Sequence, residues 1–73
     1  MNETQRLIEV RGGRVVRLLN GGPEWRAVRY VPATRFKLAE WDLVNIAQPA
    51  RQTRADAQDV FCLAEDNPEV SGS

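Results

Sequence analysis

The amino-acid sequence predicts a small, mostly β domain: an SH3-like barrel or curled antiparallel sheet of four to five short strands, with one C-terminal helix. Three observations carry this expectation. Gly13 to Leu19 is a β-forming run that ends in the turn signal Asn20-Gly21-Gly22-Pro23. A second such run, Trp25 to Val31, follows at once. Further on, Ala57, Val60, Phe61 and Ala64 recur at the spacing of one helix face.

Taken in order, Arg6 to Val10 reads as a short strand with Ile8 and Val10 on one face. Gly12-Gly13 supplies a turn. Arg14 to Leu19 is the next strand, with Val16 and Leu18 facing one way and Val15, Arg17 and Leu19 the other. Trp25 to Val31 places Trp25, Ala27 and Val31 on one face and Val28 and Tyr30 on the other. Pro32 lacks the N–H a ladder needs, so that strand ends there. Thr34 to Ile46 fits two patterns, because Phe36, Ala39, Leu43 and Ile46 recur at helical spacing while Phe36 and Leu38 alternate. The preferred reading is a strand through Leu38, a tight helical turn over Ala39 to Asp42, and a short strand Leu43 to Ile46. Gln48-Pro49-Ala50 breaks the chain. Thr53 and Asp56 then resemble a capping box, which starts the amphipathic helix. Asp66-Asn67-Pro68 ends it, with Asn67 as a left-handed cap. The domain is therefore read as a β-barrel or meander over residues 1–50, a helix over 51–66, and a disordered tail over 67–73.

Seventy-three residues are near the lower limit for a core that folds alone. Such chains usually add disulfides, a metal or a partner subunit. Cys62 is the only cysteine and there is no histidine, so neither a disulfide within the chain nor a zinc site is expected, and no cofactor is implied. Good packing or a homodimer remains. No apolar run approaches a membrane span. The first residues lack the basic-then-apolar pattern of a secretion signal, and a single thiol suits a reducing cytosol, so a cytoplasmic setting is expected.

Net charge is zero, but it is unevenly placed. Residues 1–54 hold ten basic residues against five acidic, a net +5. Residues 55–73 hold five acidic residues and no basic one, a net −5. The expectation is that the acidic helix packs on the basic sheet, in cis or on a second subunit, through Val60 and Phe61, so that part of the split is internal pairing.

Catalysis is poorly supplied. The commonest general base is missing, and the only serines are Ser71 and Ser73. Glu40 and Asp42 read as solvated charges beside a packed Trp41, Cys62 as a structural thiol, and Gly21-Gly22 as a hairpin turn without the lysine of a phosphate loop. The arginines carry more. Arg14, Arg17, Arg26 and Arg29 are interleaved with Trp25, Tyr30 and valines, and such surfaces bind phosphate and stack on bases. Pairs three apart on a regular strand point to opposite faces, however, so no single arginine stripe is expected.

The run Gly13 to Pro23 resembles the signature of the YodC-like family of small bacterial proteins, a Gly-Asp-x-Val-x-Leu strand followed by Ser-Gly-Gly-Pro and a second strand. Gly13, Val16, Leu18, Gly21, Gly22 and Pro23 match, while Arg14 stands for the acidic residue and Asn20 for the serine. The family's later Cys-x-Trp-Phe segment has no counterpart. The resemblance implies a small SH3-like barrel and no activity.

The functional expectation is a non-enzymatic protein–protein interaction module of the adaptor or inhibitor type. Trp25, Tyr30 and Trp41 are the candidate anchors, with Arg26 and Arg29 beside them. The alternative is a nucleic-acid-binding barrel using Arg14, Arg17, Arg26, Arg29 and Arg35. No membrane partner is expected.

Overall fold

Asn20-Gly21-Gly22-Pro23 reverses the chain by placing two residues at positive φ, Gly21 at 89° and Gly22 at 103°. Only glycine adopts these values without a Cβ clash. This turn organises a computed structural model that describes residues 6–68. Six antiparallel strands form one sheet: β1 (Leu7–Ile8), β2 (Val15–Leu18), β3 (Trp25–Val31), β4 (Glu40–Asn45), β5 (Gln52–Asp56) and β6 (Val60–Leu63). Their spatial order is β1-β6-β2-β3-β4-β5. A meander thus runs from β2 to β5, and β6 returns to lie between β1 and β2. Strands β1 and β5 are the two edges, so the sheet is not closed into a hydrogen-bonded barrel.

Opposed residues of an antiparallel pair share a face, and the registers therefore define the inner surface. Val16 faces Trp25, Ala27 faces Leu43, Leu18 faces Val60, and Ile8 faces Cys62. Val16, Ala27, Trp41, Leu43, Val60 and Cys62 make the core, with Ile8, Val10, Leu18, Trp25, Ala55 and Ala57 packed around them. Leu43 on β4 is 1% exposed.

Strand β4 was expected to begin as a helical turn at Ala39. It is instead a regular strand from Glu40, with Trp41, Leu43 and Asn45 buried in alternation. The expected strand over Thr34 to Leu38 is absent. Thr34 Oγ1 accepts the N–H groups of Phe36 (3.2 Å) and Lys37 (3.1 Å), and the Thr34 N–H donates to the Lys37 carbonyl at 2.9 Å. A hydroxyl that takes local donors in this way competes with a ladder and folds the segment into a turn.

The expected C-terminal helix is also absent. Residues 51–66 contain β5, a 3-10 turn (Ala57–Asp59), β6 and a second 3-10 turn (Ala64–Asp66). The helical spacing of Ala57, Val60, Phe61 and Ala64 overlaps a period-2 pattern in which Val60 and Cys62 face inward. Strand demand decides between the two. The edge of β2 away from β3 carries main-chain donors and acceptors that a helix cannot satisfy, and β6 satisfies them by pairing Arg17 with Phe61 and Leu18 with Val60. The Leu19 N–H adds a bond to the Asp59 carbonyl at 2.9 Å.

Above Arg17 the chain leaves the ladder, and Asn67 takes its place. Asn67 is 2% exposed, has a φ of −132° and so is not a left-handed cap, and uses its amide as a substitute peptide. Its Oδ1 accepts the Val15 N–H at 2.8 Å. Its Nδ2 donates to the Val15 carbonyl at 3.1 Å and to the Leu63 carbonyl at 2.9 Å, and lies 3.2 Å from Cys62 Sγ. The expected disordered tail thus starts too early at residue 67, and the rest of it, 69–73, lies outside the described residues.

Replacing Asn67 by Ala strands buried donors and acceptors at Val15 and Leu63, a cost of about 2–4 kcal/mol. A domain of this size has only about 4–11 kcal/mol in total. Urea denaturation should therefore show a midpoint far below wild type. Asn67→Asp should be no milder, because a carboxylate would face two carbonyls.

Candidate functional site: the outer sheet face and the β3–β4 loop

Strand β3 breaks register between Ala27 and Arg29, leaving Val28 as a bulge. One extra residue inverts the alternation beyond it. Arg26, opposite Val44, and Arg29, opposite Asp42, consequently share the outer face, which regular alternation would have forbidden. Tyr30 is brought to the inner face opposite Trp41, with ring centroids 5.3 Å apart and planes tilted by 57°. Val31, expected beside Trp25, lies on the outer face opposite Glu40.

The outer face is a charge ladder and not a basic stripe. Asp42 stands between Arg29 on β3 and Arg54 on β5, and both are its direct cross-strand neighbours. Arg54 Nε lies 2.6 Å from Asp42 Oδ1, Arg29 Nε lies 3.4 Å from Asp42 Oδ2, and an Arg54 terminal nitrogen lies 3.8 Å from Glu40. The hydrogen bond from Arg54 is the main reason that the Asp42 carboxyl is held below the ordinary aspartate range. A shallow open hollow above this ladder is lined by Val28, Asp42, Val44, Gln52 and Arg54.

Arg17, Arg14 and Arg26 are likewise engaged. Arg17 makes a two-pronged contact to Asp66, Nε to Oδ2 at 2.8 Å and the terminal nitrogen to Oδ1 at 2.9 Å, with Glu65 at 3.8 Å and Glu24 at 3.9 Å. The acidic C-terminal part does meet the basic strands here, through the turn after β6 in place of a helix. Arg14 donates to the Glu9 carbonyl at 2.6 Å, and Arg26 to the Gly13 carbonyl at 2.7 Å. Trp41 is buried in the core, and Trp25 is half-buried at its rim. The Trp25 Nε1–H is enclosed with no acceptor among the described residues.

Of the expected anchors, Tyr30 is the one that reaches solvent, at 48% exposure. Its strand runs into the connection 32–39, whose residues are exposed up to Leu38. Phe36 there is 87% exposed and Leu38 58%. The Arg35 guanidinium carbon sits 5.8 Å from the Phe36 ring centroid, within reach of a cation–π contact. Among the described residues neither Arg35 nor Lys37 forms an ion pair. Phe36, Lys37 and Leu38 were missed as surface residues because their alternation was read as a strand. Thr34 at the head of the turn was the available signal. Among the described residues no cluster of histidine, cysteine or carboxylates gathers to hold a metal, and no helix is long and apolar enough to cross a membrane.

The depressed Asp42 pKa makes folding stability depend on pH. A carboxyl whose folded-state pKa lies below its unfolded value contributes stability above the unfolded value and loses it as pH falls through the folded one. Denaturant midpoints should therefore decline as pH drops below the ordinary aspartate value of 3.8. Asp42→Asn should flatten that part of the profile, leaving whatever slope the other carboxyls supply.

Comparison with known proteins returns no match to a family model, to a curated protein or to a solved structure.

Proposed function

We propose that this chain is a non-enzymatic protein–protein interaction module that binds through Tyr30, Phe36 and Leu38. The observation that carries the reading is the exposure of these three side chains in a domain short of core material. A small chain benefits from every large apolar residue it buries. Two of the three stand instead on a turn organised by Thr34, where they meet solvent. Tyrosine and arginine are among the residues enriched at binding hot spots, and Tyr30 and Arg35 supply them here beside Phe36 and Leu38.

The fold reading that goes with it is SH3-like. A four-strand meander, a 3-10 turn and a last strand that returns beside the first of the meander support it, as does the YodC-like run at Gly13 to Pro23. The lone cysteine suits a cytoplasmic setting. Nucleic-acid binding is the lesser reading, because Arg17, Arg29 and Arg54 already face carboxylates. Phosphate would have to displace those partners.

Affinity capture from a lysate of the source cells, with wild type and a Phe36→Ser/Leu38→Ser variant, tests the proposal. Both positions are exposed, so the variant should keep the wild-type unfolding free energy within about 0.5 kcal/mol. A protein retained by wild type and lost from the variant is the expected result. Equal retention by both, or nuclease-sensitive retention alone, would overturn it.

A further inference from the structure

We infer that the partner segment recognised by the 32–39 loop is acidic and carries at least one large apolar side chain. This rests on the interaction-module reading above and adds the chemistry of the occupant. Arg35 and Lys37 alternate with Phe36 and Leu38, and no carboxylate occurs from Val31 to Ala39. The nearest acidic neighbours in sequence, Glu40 and Asp42, are turned to Arg54 on the outer face. The loop is thus a local positive site on a chain of zero net charge. Its charge acts at short range, on whatever touches it, and not as long-range steering.

Phosphate polymers fit this site less well than a peptide. Two loop cations allow little counterion release, and Phe36 is a single stacking face on the loop, with Leu38 offering none. A bilayer fits less well too. Phe36 and Leu38 on one turn bury little area, and two cations add only a weak attraction to anionic lipid. An acidic peptide with an apolar side chain matches both features. Its carboxylates meet Arg35 and Lys37 while its apolar group covers Phe36 and Leu38.

The test is selection of a phage-displayed random dodecapeptide library on the full chain, followed by NMR titration of the labelled chain with the enriched peptides. The expected result is enrichment of Asp or Glu together with Leu, Phe, Ile or Trp. Amide shifts should centre on residues 34–38, and affinity should fall at least about tenfold in both Phe36→Ser and Arg35→Glu/Lys37→Glu. Charge-reversed peptides, with Lys for each acid, should not bind. Enriched peptides that lack acids, or that shift other residues and ignore these substitutions, would overturn the inference and leave the module reading standing. Failure to enrich any peptide, with the chain sedimenting on vesicles of phosphatidylserine and phosphatidylcholine, would overturn both.

Discussion

The strand β2 has two edges to satisfy in only four residues, and the fold depends on how its upper end is completed. Strand β3 covers one edge. On the other, β6 covers Arg17 and Leu18 and then leaves the ladder, so Val15 would be left with a bare N–H and C=O beside the core. The Asn67 side chain supplies the missing peptide group. The same amide also bonds the Leu63 carbonyl, which ties the end of β6 to the start of β2. A buried polar group is tolerable only when its bonds are made, and here one side chain satisfies two strands. Cys62, fully enclosed beneath it with Sγ 3.3 Å from the Val15 carbonyl, packs into the same junction.

Arg17 reinforces that junction from outside. Its fork on Asp66 spans the turn that delivers Asn67. The pair is part-buried, with the Asp66 side chain 8% exposed and that of Arg17 40%, and it orients the turn. Also on the outer face, along β3, β4 and β5, Arg29, Asp42 and Arg54 form a second charge row across three strands. Three of the ten basic residues in the first part of the chain, Arg17, Arg29 and Arg54, face carboxylates in these two places. What remains outside them is concentrated in part on the 32–39 loop, beside Phe36 and Leu38, and that is where we place binding.

Local signals revealed the β2–β3 hairpin and hid much of the rest. Asn-Gly-Gly-Pro and Pro32 are turn and stop signals that act within a few residues, and they bracket β3 at Trp25–Val31 as observed. That Val16 and Leu18 share one face of β2 was legible from alternation, while which face turns inward was not. The segment 51–66 was not, because Ala57, Val60, Phe61 and Ala64 satisfy a helical period while Val60 to Leu63 satisfy a strand. Only the unpaired edge of β2, some forty residues away in sequence, decides for the strand. The bulge at Val28 has no sequence mark either, since no glycine stands there, and missing it put Tyr30 on the wrong face and separated Arg26 from Arg29. Asn67 beside Pro68 looks like a helix stop. Its role as a substitute peptide requires knowing that Val15 lies opposite.

The measurement that bears most directly on the Asn67 junction is an NMR scalar coupling across the hydrogen bond from the Val15 amide nitrogen to the Asn67 side-chain carbonyl carbon. A resolved coupling between those two nuclei, with the Val15 amide protected from exchange, is the result this account predicts. A Val15 amide that exchanges rapidly, or that couples to a main-chain carbonyl instead, would contradict it.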